Sequence, residues 1–84
     1  MRVTAKRVQN AWIEGKCGDY VYWAKVYDEP SHYGIKNGRI SKLEIRDCND
    51  NCVLNYDRGW DVYAQGKVKT VFLEIFNTLE NFVD

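Results

Sequence analysis

The spacing of apolar residues changes once along the chain. Before about residue 65 apolar and polar residues tend to alternate, which is the period of a half-buried strand. After it, Val68, Val71, Phe72, Ile75, Leu79, Phe82 and Val83 recur at steps of three and four, which is one face of a helix. The first clear strand is Ala11 to Glu14, and Gly15-Lys16-Cys17-Gly18 reads as a hairpin turn. The second strand, Asp19 to Asp28, is rich in Val, Tyr and Trp, residues that suit a pleated surface. The loop Glu29 to Gly38 follows, ending on the turn dipeptide Asn37-Gly38. In the third strand, Arg39 to Asp47, Leu43 and Ile45 face one side while Lys42, Glu44 and Arg46 face the other. Asn49-Asp50-Asn51 forms the next turn, since short polar side chains bond to nearby backbone and tolerate left-handed conformations. The fourth strand, Cys52 to Tyr56, puts Cys52, Leu54 and Tyr56 on one face. Asp57-Arg58-Gly59 turns into a fifth strand, Trp60 to Ala64. Residues 1–10 fit neither period cleanly and read as a frayed lead-in or a short strand.

These elements predict an α+β fold: an antiparallel sheet of four or five strands with a C-terminal amphipathic helix packed on one face. The helix is poorly capped by its own sequence. Lys67 and Lys69 lie at its positive end, and Glu80 and Asp84 at its negative end. Packing must therefore supply most of its stability. The second strand is apolar on both faces: Tyr20, Tyr22, Ala24 and Val26 point one way, and Val21, Trp23 and Tyr27 the other, interrupted by Lys25. One helix covers one face only. Residues 1–10, sheet curvature, a ligand or a second copy of the chain would cover the rest, and a homodimer is the expected form of self-association.

Length adds a bound. Residues 1–84 make one domain, which buries roughly 60–65% of the surface of its unfolded chain. Three Trp, six Tyr and three Phe supply much of that burial. Twelve basic residues balance twelve acidic ones. A phosphate-neutralising protein usually carries an excess of Lys and Arg, so nucleic-acid binding is disfavoured. No run of roughly 20 apolar residues is present to span a bilayer, and Met1 to Asn10 has no apolar core of a signal peptide. A cytoplasmic location is expected, with no membrane partner. Three cysteines, Cys17, Cys48 and Cys52, fit free thiols in a reducing compartment. Cys48 and Cys52 have metal-ligand spacing, but a zinc site needs two more ligands. Cys17 and His32 are the only obvious candidates, so neither metal nor cofactor is expected.

No catalytic constellation stands out. Ser31 and His32 are adjacent, with Asp28 and Glu29 upstream. Adjacent loop residues seldom aim hydroxyl and imidazole at each other and at a substrate. A small hydrolase or transferase using this loop is the alternative from the enzyme class. Gly34 to Arg39 contains two glycines but leads into a strand, not into the helix a phosphate loop requires. Binding is easier to motivate. Arg39, Ser41, Lys42 and Arg58 lie near strand ends, with Tyr33, Tyr56 and Trp60 close in sequence. Aromatic residues and Arg are the types most enriched in energetic contacts, and the same mixture suits a single-stranded nucleic acid. Against that, Asp28, Glu29, Asp57 and Asp61 lie in the same segments and would repel phosphate. The expectation is a non-catalytic binding or interaction module.

Two segments, Asp28 to Leu43 and Asn55 to Asp61, resemble signature segments of a family of small uncharacterised proteins. That family is found in Firmicutes and in their phages and conjugative elements. Ala24-Lys25-Val26-Tyr27 also fits, and the resemblance covers most of residues 12–62. It implies a bacterial, cytosolic, mobile-element origin. No activity is established for the family, so the resemblance transfers no role to any residue.

Overall fold

A computed structural model describes residues 2–83. Six strands form one antiparallel meander, each hydrogen-bonded to its sequence neighbour in the order β1-β2-β3-β4-β5-β6. They are β1 (Lys6–Gln9), β2 (Trp12–Cys17), β3 (Tyr20–Val26), β4 (Ile40–Arg46), β5 (Cys52–Asp57) and β6 (Trp60–Val62). The helix α1 (Val68–Glu80) follows, and it lies across β2 and β3. The α+β class and the single C-terminal helix agree with expectation, but the sheet has six strands rather than four or five. The additional strand is β1, which joins the sheet edge beside β2. Residues 6–9 therefore widen the sheet and do not cover its second face. No helix among the described residues is long and apolar enough to cross a membrane.

The first hairpin also differs from expectation. Gly15, Lys16 and Cys17 belong to β2, and the turn is the two-residue Gly18-Asp19. Gly18 alone carries the positive φ, 61°, as the first position of a tight hairpin turn often requires. The shift continues the alternation of β2, so that Ile13 and Cys17 both point into the core.

The pleat sorts β3 as its sequence predicts. Tyr22, Ala24 and Val26 are buried, and Trp23 is exposed. In register with them, Ile45, Leu43 and Ile40 of β4 lie on the core side. Leu54 and Tyr56 of β5 continue the layer. Val68, Val71, Phe72, Ile75 and Leu79 of α1 close it from above. Val83 of the expected helical face lies beyond the helix and is exposed. Cys52 also departs from the pattern. The register shifts between Ile45 and Arg46, and Cys52 becomes exposed.

Two predictions follow from this core. Leu79 is fully buried, so Leu79→Ala is expected to cost about 2–5 kcal/mol in chemical denaturation; a loss below about half a kcal/mol would contradict the packing. Tyr22 donates its hydroxyl to the Thr4 carbonyl at 2.7 Å. Burial, with a smaller contribution from Cys17, pushes its phenol up to about 12. A raised pKa favours the neutral phenol in the folded state, so its stabilising contribution is complete below pH 10 and is lost as pH rises through about 12. Tyrosinate absorbance followed alongside circular dichroism is expected to show a tyrosine ionising near pH 12 that is absent in Tyr22→Phe.

Candidate functional site

The loop from β3 to β4 shapes one end of the sheet. It is built from turns closed on themselves. The Gly34 amide donates to the Ser31 carbonyl, the Ser31 amide donates to the Gly38 carbonyl, and the Tyr33 amide donates to Ser31 Oγ at 3.2 Å. A single 3-10 turn, Ile35–Asn37, buries Ile35 beneath the loop. Gly34 and Gly38 are required by close approach. A Cβ on Gly34 would overlap the Gly38 carbonyl, and one on Gly38 would meet the Glu80 carboxylate. The dipeptide Asn37-Gly38 therefore serves the helix end as well as the turn.

Of the seven residues expected to bind a partner, the fold gathers four. Tyr33, Ser41, Lys42 and Arg58 line one cleft of about 410 Å³, closed on its other side by Tyr27, Glu29 and Pro30. The other three are engaged inside the fold, so the expected set does not form a single surface. Arg39 donates from Nε to the Tyr27 carbonyl at 2.8 Å, from one terminal nitrogen to the Glu80 carbonyl at 2.8 Å, and from the other to the Phe82 carbonyl at 3.2 Å. Its backbone amide donates to the Glu80 carboxylate at 2.9 Å. The Glu80 and Phe82 carbonyls are orphan acceptors at and just beyond the helix C-terminus. Arg39 supplies the cation that the helix's own sequence lacks there. Tyr56 is buried on the core side and donates its hydroxyl to the Tyr33 carbonyl at 2.8 Å. Trp60 stands edge-on to Tyr56 and Phe72 and stacks on Tyr63.

The cleft owes its form to a bulge. Lys25 pairs with Lys42 and Val26 with Ile40, leaving Ser41 as the extra residue. Ser41 is consequently buried beside the core residue Ile40, and its carbonyl accepts the Arg58 amide at 3.0 Å. Bulges re-aim side chains in this way. Arg58 has φ of 60° in its turn, and its guanidinium lies over the Tyr33 ring, 5.5 Å from the centroid. The neighbours Asp57 and Arg58 form no ion pair with each other. Asp57 faces Lys42 instead, at 3.7 Å, and Arg58 has no ion pair among the described residues. The Tyr27 phenol is held below its ordinary range, first by hydrogen bonding with Lys25, with the Ser41 hydroxyl and the charge of Arg58 adding to it.

Beyond the cleft lies the helix-free face of the sheet, where further residues come together that sequence reasoning did not assign to a site. Trp12 is 36% exposed and Trp23 is 39% exposed. The strand pairings order this face in rows. One row runs Trp12, Lys25, Lys42, Asp57, and the next runs Lys6, Glu14, Trp23, Glu44, Asn55. Lys25 Nζ sits over both the Trp12 ring, at 5.8 Å, and the Tyr27 ring, at 5.5 Å. Glu44 is bound to Arg46 at 2.8 Å. The signal in the sequence was the second apolar face of β3; the hairpin register sets Trp12 opposite Lys25 on that face.

The remaining candidates are dispersed. His32 is exposed, and Ser31 Oγ is engaged by the Tyr33 amide. Cys17 is buried, while Cys48 and Cys52 are exposed on either side of the Asn49–Asn51 turn. That turn is held by Asp47, whose Oδ1 accepts the amides of Asn49 and Asn51, each at 2.9 Å. The Asn51 amide foremost lowers the pKa of this carboxylate. Among the described residues, no group of three or more His, Cys, Asp or Glu side chains is placed to hold a metal ion.

A meander of six strands backed by one helix, with a loop-walled cleft at one end, defines a small α+β domain. Residues 11–80 match the profile of a domain of unknown function, DUF7678, and the chain belongs to that family. No curated protein and no solved structure matches it.

The geometry of Arg39 makes a prediction about stability. Arg39→Met removes three hydrogen bonds to carbonyls and is expected to cost about 1.5–3 kcal/mol. Arg39→Lys is expected to recover little, since an ammonium cannot span the three carbonyls as a planar guanidinium does. Urea denaturation of the two variants measures this; an unshifted midpoint in Arg39→Met would refute it.

Proposed function

We propose that this chain is a non-catalytic binding module whose helix-free sheet face docks on a protein surface, and that a second copy of the chain is the partner it fits best. The observation that carries the reading is the pair of half-exposed tryptophans, Trp12 and Trp23, on a face that no other element among the described residues covers. Exposed aromatic residues ringed by polar groups are the usual anchors of protein contacts. The row pattern also supports self-association. Consider a two-fold axis lying in this face and running across the strands, between the two rows. It sets Trp23 against Lys25 of the second copy and Glu44 against its Lys42, with Glu14 against its Trp12. Such a contact is self-complementary, and net charge of zero opposes it little. The non-catalytic reading is supported by Ser31 Oγ, which is engaged with backbone and not with His32. A bacterial cytoplasmic setting on a mobile element rests on the resemblance of Asp28 to Leu43 and Asn55 to Asp61 alone.

A second reading, single-stranded nucleic acid on the same face, is favoured by the row Trp12, Lys25, Lys42, since aromatic platforms beside cations stack bases and hold phosphates. Glu14 and Glu44 stand on both sides of Trp23 and oppose a phosphate backbone there. Sedimentation velocity over a concentration series separates the readings. The wild type is expected to dimerise, and Trp12→Ser/Trp23→Ser to remain monomeric with unchanged circular dichroism. A wild type that stays monomeric to high micromolar concentration rules out the second copy. Saturable quenching of tryptophan fluorescence by oligothymidylate in that monomer would transfer the face to nucleic acid.

A further inference from the structure

The cleft beside the sheet face has a chemistry of its own. Its floor holds the buried Ser41, and its aromatic walls are Tyr27 and Tyr33. Its cations are Arg58 and Lys42. Arg58 is the more informative of the two. Its backbone is fixed by the bond from its amide to Ser41, and its guanidinium rests on the Tyr33 ring. Among the described residues it spends none of its five donors on a carboxylate. Among the described residues Lys42 has only the long 3.7 Å ion pair with Asp57. The lowered pKa of Tyr27 agrees with a cationic environment, set by Lys25 first and by Arg58 among the rest. A planar guanidinium with unused donors suits bidentate recognition of a carboxylate or phosphate. Glu29 lines the same cleft and offers an acceptor to an N–H or O–H elsewhere on a ligand.

We propose that this cleft binds a small aromatic molecule bearing one oxyanion, a carboxylate or a phosphate, with Arg58 and Lys42 holding the anion and Tyr27 and Tyr33 flanking the ring. A volume of about 410 Å³ is within the range of small-molecule sites. This goes beyond the docking of the sheet face: the cleft lies at its loop end and shares Lys42 with it, but its guanidinium, Arg58, is outside the rows of that face and it contains neither Trp12 nor Trp23.

The test is a titration of the isotopically labelled full chain, read by amide chemical shifts. Four probes are used: 4-aminobenzoate and adenosine monophosphate, and their uncharged counterparts 4-aminobenzamide and adenosine. Saturable shifts at Tyr33, Ser41, Lys42 and Arg58 are expected with at least one anionic probe, with affinity about tenfold or more above its uncharged counterpart. Which anionic probe binds distinguishes carboxylate from phosphate. Arg58→Gln is expected to lose that advantage while keeping the remaining spectrum, since the side chain is exposed. Trp12→Ser/Trp23→Ser is expected to keep the preference for the anionic probe, which Arg58 carries, so that failure of the sheet-face reading leaves this result intact. Equal affinity for charged and uncharged probes, an unchanged affinity in Arg58→Gln, or no saturable shift at millimolar concentration overturns the proposal.

Discussion

A helix of thirteen residues can bury one face of a six-stranded sheet and no more. That constraint organises the molecule. On the covered side, β2, β3, β4 and β5 direct Ile13, Tyr22, Ala24, Leu43, Ile45 and Leu54 toward Val71, Ile75 and Leu79. On the other side the strands must meet their surroundings with whatever the alternate positions carry. There the sequence places charged residues around two tryptophans. Charged side chains with long aliphatic stems can shield apolar rings while keeping their heads in water, as Lys25 does over Trp12 and Tyr27. The open face is thus chemically mixed, and its aromatic residues are only part-exposed.

The helix is held from outside its own sequence. It has no acidic residue in its first turn and no basic residue in its last, which leaves its dipole uncompensated from within. Arg39, from the far end of the β3–β4 loop, bonds to the carbonyls that the helix terminus leaves open. Glu80, unfavourable at a helix C-terminus by charge alone, accepts the Arg39 backbone amide in return. An arrangement that looks like a defect when the helix is read alone is half of a tertiary contact.

The same logic explains what was legible in advance. The helix and its buried face follow from period, and so do the alternations of β3 and β4, because each rests on local spacing. Several features were hidden because they depend on pairing and register. Ile40 and Leu43 are three residues apart yet both buried, which only a bulge at Ser41 permits within a strand. β1 is short and mixed in composition, and becomes a strand through its pairing with β2. Arg39, Tyr56 and Trp60 have the residue types of a binding surface, but type does not show which way a side chain turns. The bulge sends Ser41 and Lys42 to the cleft, and the pleat sends Tyr56 to the core. Trp12 stands opposite Lys25, and not opposite Val21, because the hairpin closes at Gly18-Asp19.

The meander has a further consequence for the order in which the molecule assembles. Every strand pairs with its neighbour in sequence, so the sheet forms through short loop closures, which are entropically mild. The bonds from Arg39 to Glu80 and Phe82 span 41 and 43 residues and must await the docking of the helix. The β3–β4 loop takes its final shape through Gly38, Arg39 and Glu80, so it is completed at that same late step. Loop and helix terminus therefore behave as one cooperative unit that opens and closes together. The cleft walled by that loop inherits its rigidity from the opposite side of the sheet.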